Sequence, residues 1–309
     1  MDVGGEIGVI DHHGRFCWYE LLTTDVAAAS AFYGSVIGWE AQDASTAALA
    51  YHLFTKATAP VGGLMDLPQE ARRMGATPRW IGYVDVDDVD AIADRIKRLG
   101  GAVYVPPTDS NIGRVSIVAD PQTATLALVT GLKVGAQAPS KPDEPNEAGR
   151  VGWHELLAAD WKKAFAFYGG IFGWQGTEAE AGATDIYQLF ATGGRTIGGI
   201  FTKRPLEPVP FWLYYFNVDD IDAAMARVKR SGGRVFEGPF EVPGGSWVVR
   251  CVDPQGATFA LQGTRSQASI KAAPAAEYGW STEWGGISSR GRVLFDKTGG
   301  KARQSKPRS

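Results

Sequence analysis

The sequence has little cysteine and no long apolar run. Its two cysteines, Cys17 and Cys251, lie far apart, so they form neither a disulfide framework nor a C-x-x-C metal motif. No stretch approaches the roughly 18 apolar residues that a membrane-spanning helix needs. The N-terminal residues are acidic and lack the apolar core of a secretory signal. The sequence therefore predicts a cytoplasmic protein with no membrane partner.

The chain also lacks an excess of positive charge. Its formal net charge is −3, with 21% charged and 44% hydrophobic residues. This balance is typical of a globular protein, and it offers nucleic acid no basic surface. Basic residues concentrate in the tail, residues 265–309, which we predict to be flexible and to offer a contact for a protein partner. No recognition fold accompanies this tail, so we expect no nucleic-acid partner.

One pattern occurs twice in the sequence. Residues 18–39 and 153–174 are identical at 12 of 22 aligned positions, including "AFYG" and "GW". Further matches follow in the same order, such as "VDVDDVDAIADRIKRLGG" with "FNVDDIDAAMARVKRSGG". A repeat this long exceeds a solenoid unit and indicates two copies of a whole domain. We predict a first domain at 12–132, a linker at 133–149, a second domain at 150–264 and the tail at 265–309.

Each copy begins with a strand and a helix. The run "CWYELLTT" has the aromatic and apolar composition of a half-buried strand. Asp25 follows it as a predicted helix N-cap, and Gly38 is the predicted end of that helix. Phe32 and Tyr33 lie at helical spacing with other apolar residues, so we predict that they pack in the core.

Four motifs in order resemble one known superfamily. They are W-x-E-L-x-x-x-D, A-x-x-FYG-x-x-x-GW, V-D-D-[VI]-D-A and V-x-DPQ-x-A-x-x-A-L, and they occur in both halves. The pattern is similar to that of the vicinal oxygen chelate superfamily, which includes glyoxalase I, bleomycin-resistance proteins and extradiol dioxygenases. The resemblance implies an α+β fold of two tandem domains. Each would consist of paired βαβββ modules whose sheets curl around a pocket.

The superfamily's enzymes bind a divalent metal through His, Gln and Glu side chains. By resemblance, their ligand positions correspond to Trp18, Ile81 and Ala127 in the first copy and to Trp153, Leu213 and Ala260 in the second. None of these side chains offers the nitrogen or oxygen ligand that such a metal requires. We therefore predict no metal and no other cofactor in either domain.

The candidate site residues share one strand face in each copy. Trp18 and Glu20, like Trp153 and Glu155, are two residues apart, and side chains alternate along a strand with a period of two. By resemblance this face lines the pocket, which makes Trp18 and Trp153 predicted ligand-binding residues. His52 and Gln188, which match each other in the repeat, are predicted to add hydrogen-bonding groups.

Two interpretations of Glu20 and Glu155 remain open. A carboxylate between apolar neighbours has a raised pKa, which suits a catalytic base beside a carbonyl group. Alternatively, each is a buried structural Glu that pairs with an Arg or with backbone amides of its own sheet.

Three functions fit these observations. The first is a protein that binds a small carbonyl-bearing or aromatic molecule. It either only binds this molecule or also converts it by metal-independent lyase or isomerase chemistry. The second is a metal-dependent, glyoxalase-type lyase similar to lactoylglutathione lyase. The third is a non-enzymatic interaction protein that uses the tail. The sequence is compatible with a homodimer, and it leaves open whether the domains pair within one chain or between chains.

Overall fold

The computed structural model describes residues 12–47, 49–134, 147–177, 180–181, 186–205 and 207–266. Most of the predicted linker and tail therefore lies outside the described residues. Within the described part of the chain, no helix is long and apolar enough to cross a membrane.

The first domain forms an eight-stranded mixed sheet with three helices. The strand order is β2-β3-β4-β1-β5-β8-β7-β6. Strands β1 and β5 pair antiparallel at the centre, whereas β1–β4 and β5–β8 are parallel. The elements are β1 (Phe16–Thr23), α1 (Val26–Ile37), β2 (Glu40–Asp43), β3 (His52–Lys56), β4 (Ala59–Asp66), α2 (Gln69–Arg73), β5 (Arg79–Asp85), α3 (Val89–Arg98), β6 (Ala102–Asp109), β7 (Arg114–Ala119) and β8 (Thr125–Thr130).

The second domain repeats this arrangement. Its strand order is β10-β12-β13-β9-β14-β17-β16-β15, and the short β11 also pairs with β12. The elements are β9 (Val151–Ala158), α4 (Trp161–Phe172), β10 (Gln175–Gly176), β11 (Glu180–Ala181), β12 (Ile186–Thr192), β13 (Arg195–Thr202), β14 (Phe211–Asp220), α5 (Ile221–Arg230), β15 (Arg234–Glu241), β16 (Trp247–Val252) and β17 (Thr258–Thr264). The predicted α+β fold of two tandem domains, each of paired βαβββ modules, is confirmed.

Local sequence signals set the ends of the first helix in each copy. The Asp25 carboxylate accepts a hydrogen bond from the Ala28 amide at 2.9 Å, and Asp160 caps α4 in the same way. Gly38 and Gly173 end the two helices in the left-handed conformation, with φ of 82° and 70°. Glycine adopts this conformation without the steric cost that a Cβ atom adds.

The two domains share one hydrophobic core. A single cluster of buried residues contains side chains from both sheets and from helices α1, α3, α4 and α5. Tyr33 of the first domain donates to Asp253 of the second at 3.1 Å, and Tyr168 donates to Asp120 at the same distance. The repeated "AFYG" motif therefore links each domain to the other domain's "DPQ" turn. The predicted packing of Phe32 and Tyr33 is confirmed, because both are buried in this core.

Each sheet has a second apolar cluster on its opposite face. In the first domain this cluster includes Trp18 and Leu22, and in the second it includes Leu157 with Trp153 packed against it. Glu20 and Glu155 lie between these residues on their strands, as the period of two requires. We call this side of each sheet its carboxylate face.

Candidate functional site

Glu20 is buried among hydroxyl groups on the first carboxylate face. Tyr83 Oη donates to Glu20 Oε1 at 3.0 Å, and Tyr51 also hydrogen-bonds the carboxyl group. Trp18 Nε1 donates to Tyr51 Oη at 3.2 Å, which holds that hydroxyl in place. Burial raises the pKa of Glu20, and the two tyrosine hydrogen bonds oppose the rise without cancelling it. Within the described residues, no ion pair involves Glu20.

Glu155 repeats these contacts and adds a cation. Tyr187 donates to Oε1 at 3.0 Å and Tyr215 to Oε2 at 2.7 Å, while Trp153 Nε1 donates to Tyr187 Oη at 2.9 Å. Arg250 Nη2 lies 2.5 Å from Oε2 and forms a buried salt bridge. Both carboxylate oxygens are therefore occupied by protein donors.

A larger ion network extends from Arg250. Its Nη1 lies 3.4 Å from Glu237 Oε2, and Arg204 Nη2 lies 3.0 Å from Glu237 Oε1. Burial raises the pKa of Glu237 to about 7 against the opposing effect of the two guanidinium groups. The network joins two carboxylates and two guanidinium groups, so its formal charges balance when all four are ionised.

The first domain has no equivalent of this network. In the strand register, Ile117 lies opposite Ala127, and Arg250 lies opposite Ala260. Since Ala127 and Ala260 match each other in the repeat, Ile117 occupies the position of Arg250. Val105 is the strand partner of Ile117, and Glu237 is the strand partner of Arg250, so Val105 occupies the position of Glu237. Two apolar side chains thus replace the Arg–Glu pair, and Glu20 has only neutral partners.

Aromatic side chains distinguish the second carboxylate face further. Four partly exposed aromatic residues pack against its apolar cluster: Trp153, Phe201, Phe211 and Phe240. The matching positions of the first domain, identified from strand register, hold Trp18, Met65, Arg79 and Thr108. Trp18 is only 2% exposed, and loop residues such as Leu67 and Ile112 belong to the same buried cluster. The second carboxylate face therefore exposes aromatic side chains, whereas the first is filled by the apolar side chains of its own cluster.

The structure places the predicted site residues in two groups. Trp18 and Glu20, like Trp153 and Glu155, lie on the same face, and both carboxylates are buried. His52 and Gln188 do not join them, since the preceding residues Tyr51 and Tyr187 contact the carboxylates instead. Side-chain alternation turns His52 and Gln188 toward the face that holds the shared core. Gln188 Nε2 donates to the Thr177 and Leu189 carbonyl oxygens.

The sequence interpretation thus did not identify Tyr51 and Tyr187 as the residues that contact the carboxylates, and ligand binding by His52 and Gln188 stays a prediction. It also missed Tyr83, Tyr215 and Arg250. The two tyrosines occupy matching positions in "IGYVDV" and "LYYFNV", so comparison of the two copies could have identified them as candidate site residues. Arg250 has no polar counterpart in the first copy, and only strand register reveals its contact with Glu155.

His154 belongs to the shared core. Its Nε2 lies 2.6 Å from Tyr19 Oη and its Nδ1 lies 2.7 Å from the Ile197 carbonyl oxygen. Burial lowers the pKa of His154 to about 4, so the ring is neutral at pH 7. A neutral ring that donates from Nδ1 and accepts at Nε2 satisfies both contacts. Tyr19 and His154 are matching residues of the repeat, and they meet where the domains join.

The superfamily's divalent metal does not fit the residues present. The matching positions hold Trp18, Ile81 and Ala127 on one face and Trp153, Leu213 and Ala260 on the other. An indole N–H is a hydrogen-bond donor, and aliphatic side chains carry no ligand atom. Across the described part of the chain, no group of three or more His, Cys, Asp or Glu residues could hold a metal ion.

Comparison with known proteins identifies the family. The model of the glyoxalase/bleomycin resistance protein/dioxygenase superfamily matches residues 11–128 and 150–261. The chain belongs to this superfamily.

Several relatives are similar over most of their length. The "Putative glyoxylase CFP32" of Mycobacterium tuberculosis is 34% identical over 249 residues, which cover 79% of this chain and 92% of that protein. The "Anthracycline biosynthesis protein DnrV" of Streptomyces peucetius is 30% identical over 263 residues, covering 80% and 92%. The Mn(II)-bound glyoxalase from Novosphingobium aromaticivorans superposes with a TM-score of 0.57 at 15% identity, covering 86% of each chain, which shows the shared fold.

Proposed function

We propose that the second domain binds a small, planar, carbonyl-bearing aromatic molecule on its carboxylate face. The observation that carries this proposal is the set of four partly exposed aromatic residues beside the buried Glu155–Arg250 pair. Flat aromatic ligands stack on such side chains, and a few fixed polar groups then orient the ligand. Tyr187 supplies one such group, because it is partly exposed and its hydroxyl, which donates to Glu155 and accepts from Trp153, keeps one lone pair that can accept from a ligand hydroxyl.

Binding fits the geometry of Glu155 better than proton abstraction does. A general base needs a free lone pair that reaches the substrate proton. Here Oε1 accepts from Tyr187 and Oε2 accepts from Tyr215 and Arg250, so three of about four lone-pair sites are filled, and the carboxylate is buried. The catalytic roles of Glu20 and Glu155 stay a prediction, and their described contacts support a structural and positioning role.

The relatives favour the same ligand class. Two similar curated proteins carry names in anthracycline biosynthesis. An anthracycline is a polycyclic aromatic compound with carbonyl groups, which is the chemistry that the second carboxylate face fits. The first domain is, in this proposal, a filled structural copy that completes the shared core.

The proposal predicts that quinizarin, a neutral coloured hydroxyanthraquinone, binds the full-length protein in equilibrium dialysis. Phe211→Leu removes one ring but keeps apolar bulk, and Phe211→Arg introduces the residue of the first domain. We expect affinity to fall about threefold or more in the first variant and about tenfold or more in the second, because stacking area is lost.

Arg79→Ala, at the matching position of the first domain, is the control and should bind quinizarin as the unmodified protein does. Circular dichroism checks that all three variants are folded. If Phe211→Arg and the unmodified protein bound quinizarin with equal affinity, the second carboxylate face would not be the binding site.

A further inference from the structure

A chain of hydrogen bonds on the second carboxylate face has the hydroxyl of Tyr187 at its centre. Tyr187 Oη accepts from Trp153 Nε1 at 2.9 Å and donates to Glu155 Oε1 at 3.0 Å. The other carboxylate oxygen, Glu155 Oε2, forms the salt bridge with Arg250. Within the described part of the chain, Tyr187 Oη has no further hydrogen-bond partner.

The two ends of this chain fix the direction of its hydrogen bonds. An indole N–H can only donate, and a carboxylate that pairs with a guanidinium group can only accept. The single hydroxyl hydrogen of Tyr187 is therefore committed to Glu155, and one lone pair of Oη is committed to Trp153. The other lone pair can still accept a hydrogen bond. A ligand group that meets this oxygen must therefore be a donor.

Packing holds the Tyr187 ring in place. The ring lies against Gly199 of β13, where a Cβ atom would overlap it. It also stacks with Phe201, one of the four partly exposed aromatic residues of this face, with 5.8 Å between the ring centres. A ligand ring that covers Phe201 therefore brings its substituents within reach of Tyr187.

The first domain has the matching chain of Trp18, Tyr51 and Glu20, but that chain is buried. Tyr51 is only 1% exposed, whereas Tyr187 and Trp153 are partly exposed. The connection between β4 and β5 packs three apolar residues against the cluster of the first face: Leu67, Ala71 and Ala76. The connection between β13 and β14 is shorter, and none of its described residues packs against the second cluster. Only the second chain is therefore open to a ligand.

We propose that Tyr187 selects ligands of the second carboxylate face that carry a free phenolic hydroxyl group, one that does not already donate to a carbonyl of the ligand itself. This inference rests on the proposed function, because it requires an aromatic ligand on this face. A phenolic hydroxyl donates to the open lone pair of Tyr187. A methoxy oxygen at the same place would set an acceptor against an acceptor and lose its own hydration.

Equilibrium dialysis of the full-length protein tests this selection with 2-hydroxyanthraquinone and 2-methoxyanthraquinone, in mildly acidic buffer that keeps the ligand hydroxyl protonated. We expect the hydroxy compound to bind at least about fivefold more tightly, because it alone donates a hydrogen bond to Tyr187. Tyr187→Phe keeps the ring and removes the oxygen, so it should abolish the preference. Tyr51→Phe is the matched control from the first domain and should retain it.

Quinizarin separates this inference from the proposed function. Its hydroxyl groups donate to its own carbonyl oxygens, so Tyr187→Phe should bind it within about twofold of the unmodified protein. A loss of quinizarin binding in Tyr187→Phe would indicate a structural role for Tyr187 and overturn the selection.

Three further results decide between the two proposals. If quinizarin binds but the hydroxy and methoxy compounds bind equally, selection by Tyr187 is wrong and the proposed function stands. A preference that persists in Tyr187→Phe, or one that is lost in Tyr51→Phe, would likewise overturn the selection alone. If none of the three compounds binds, both proposals are wrong.

Discussion

Glu20 and Glu155 occupy matching positions of the repeat, but one neighbouring residue differs between them. Both are buried and both accept hydrogen bonds from tyrosines. Glu155 also pairs with Arg250, whereas the matching position beside Glu20 holds Ile117. Burial raises the pKa of Glu20, so folding shifts the carboxyl group toward its neutral form relative to the unfolded chain.

The first prediction concerns Glu20→Gln. Since the folded-state pKa of Glu20 is raised, its contribution to stability is fully present below the unfolded-state pKa and is lost as pH rises through the folded-state pKa. Glutamine does not titrate, so the variant should gain stability relative to the unmodified protein as pH rises. The gain has a limiting slope of about 1.4 kcal/mol per pH unit between the two pKa values. Urea unfolding at a series of pH values measures it, and a difference that does not vary with pH would contradict the account.

Glu155→Gln, in contrast, should lower the free energy of unfolding. It leaves the buried Arg250 without its closest carboxylate partner, and breaking a buried ion pair costs about 3 kcal/mol. The same urea experiment at pH 7 compares the two variants. Equal free energies of unfolding for Glu20→Gln and Glu155→Gln would show that Arg250 does not distinguish the two sites.

The sequence allowed the carboxylates to be predicted but not all of their partners. Trp18 and Glu20 could be placed on one face because their strand is unambiguous and its period is two. A shift of one residue reverses every side chain of a strand. For β3 and β12 the repeat aligned His52 with Gln188 without showing which face they occupy. Tyr51 and Tyr187, one residue earlier, are the residues that reach the carboxylates.

At the scale of elements, the turn after β7 carries a strain that its copy avoids. Thr123 has φ of 80°, and its counterpart Gly256 has φ of 100°. The two turns thus share the same region of positive φ, although one holds threonine and the other glycine. A β-branched residue in this region is an outlier that costs about 1 kcal/mol or more, whereas glycine adopts it freely.

Exchange of these two residues gives a matched pair of variants. Thr123→Gly should stabilise the protein by about 1 kcal/mol, and Gly256→Thr should destabilise it by a similar amount. A Cβ atom at Gly256 meets nothing within 4 Å, so the cost there is conformational rather than steric crowding. Thermal unfolding measures both shifts. A lower melting temperature for Thr123→Gly would show that Thr123 is not strained.

At the scale of the whole molecule, the two copies form one structural unit. The tyrosine of each first helix bonds the aspartate of the other domain's turn, and one core contains residues of both sheets. The repeat and the motif order were enough to predict the two domains and their modules. The mutual contacts could not be predicted, because the same pattern is compatible with pairing between chains. In this structure both the Tyr33–Asp253 and the Tyr168–Asp120 contacts form within one chain.

The central claim is that duplication produced one binding face and one filled copy. The most direct measurement is the number of quinizarin molecules bound per chain, obtained by equilibrium dialysis of the full-length protein at saturation. The account predicts one molecule per chain, lost in Phe211→Arg and retained in Arg79→Ala, because aromatic surface is exposed on the second carboxylate face alone among the described residues of these two faces. Two equivalent molecules per chain, or one molecule that persists in Phe211→Arg, would contradict it.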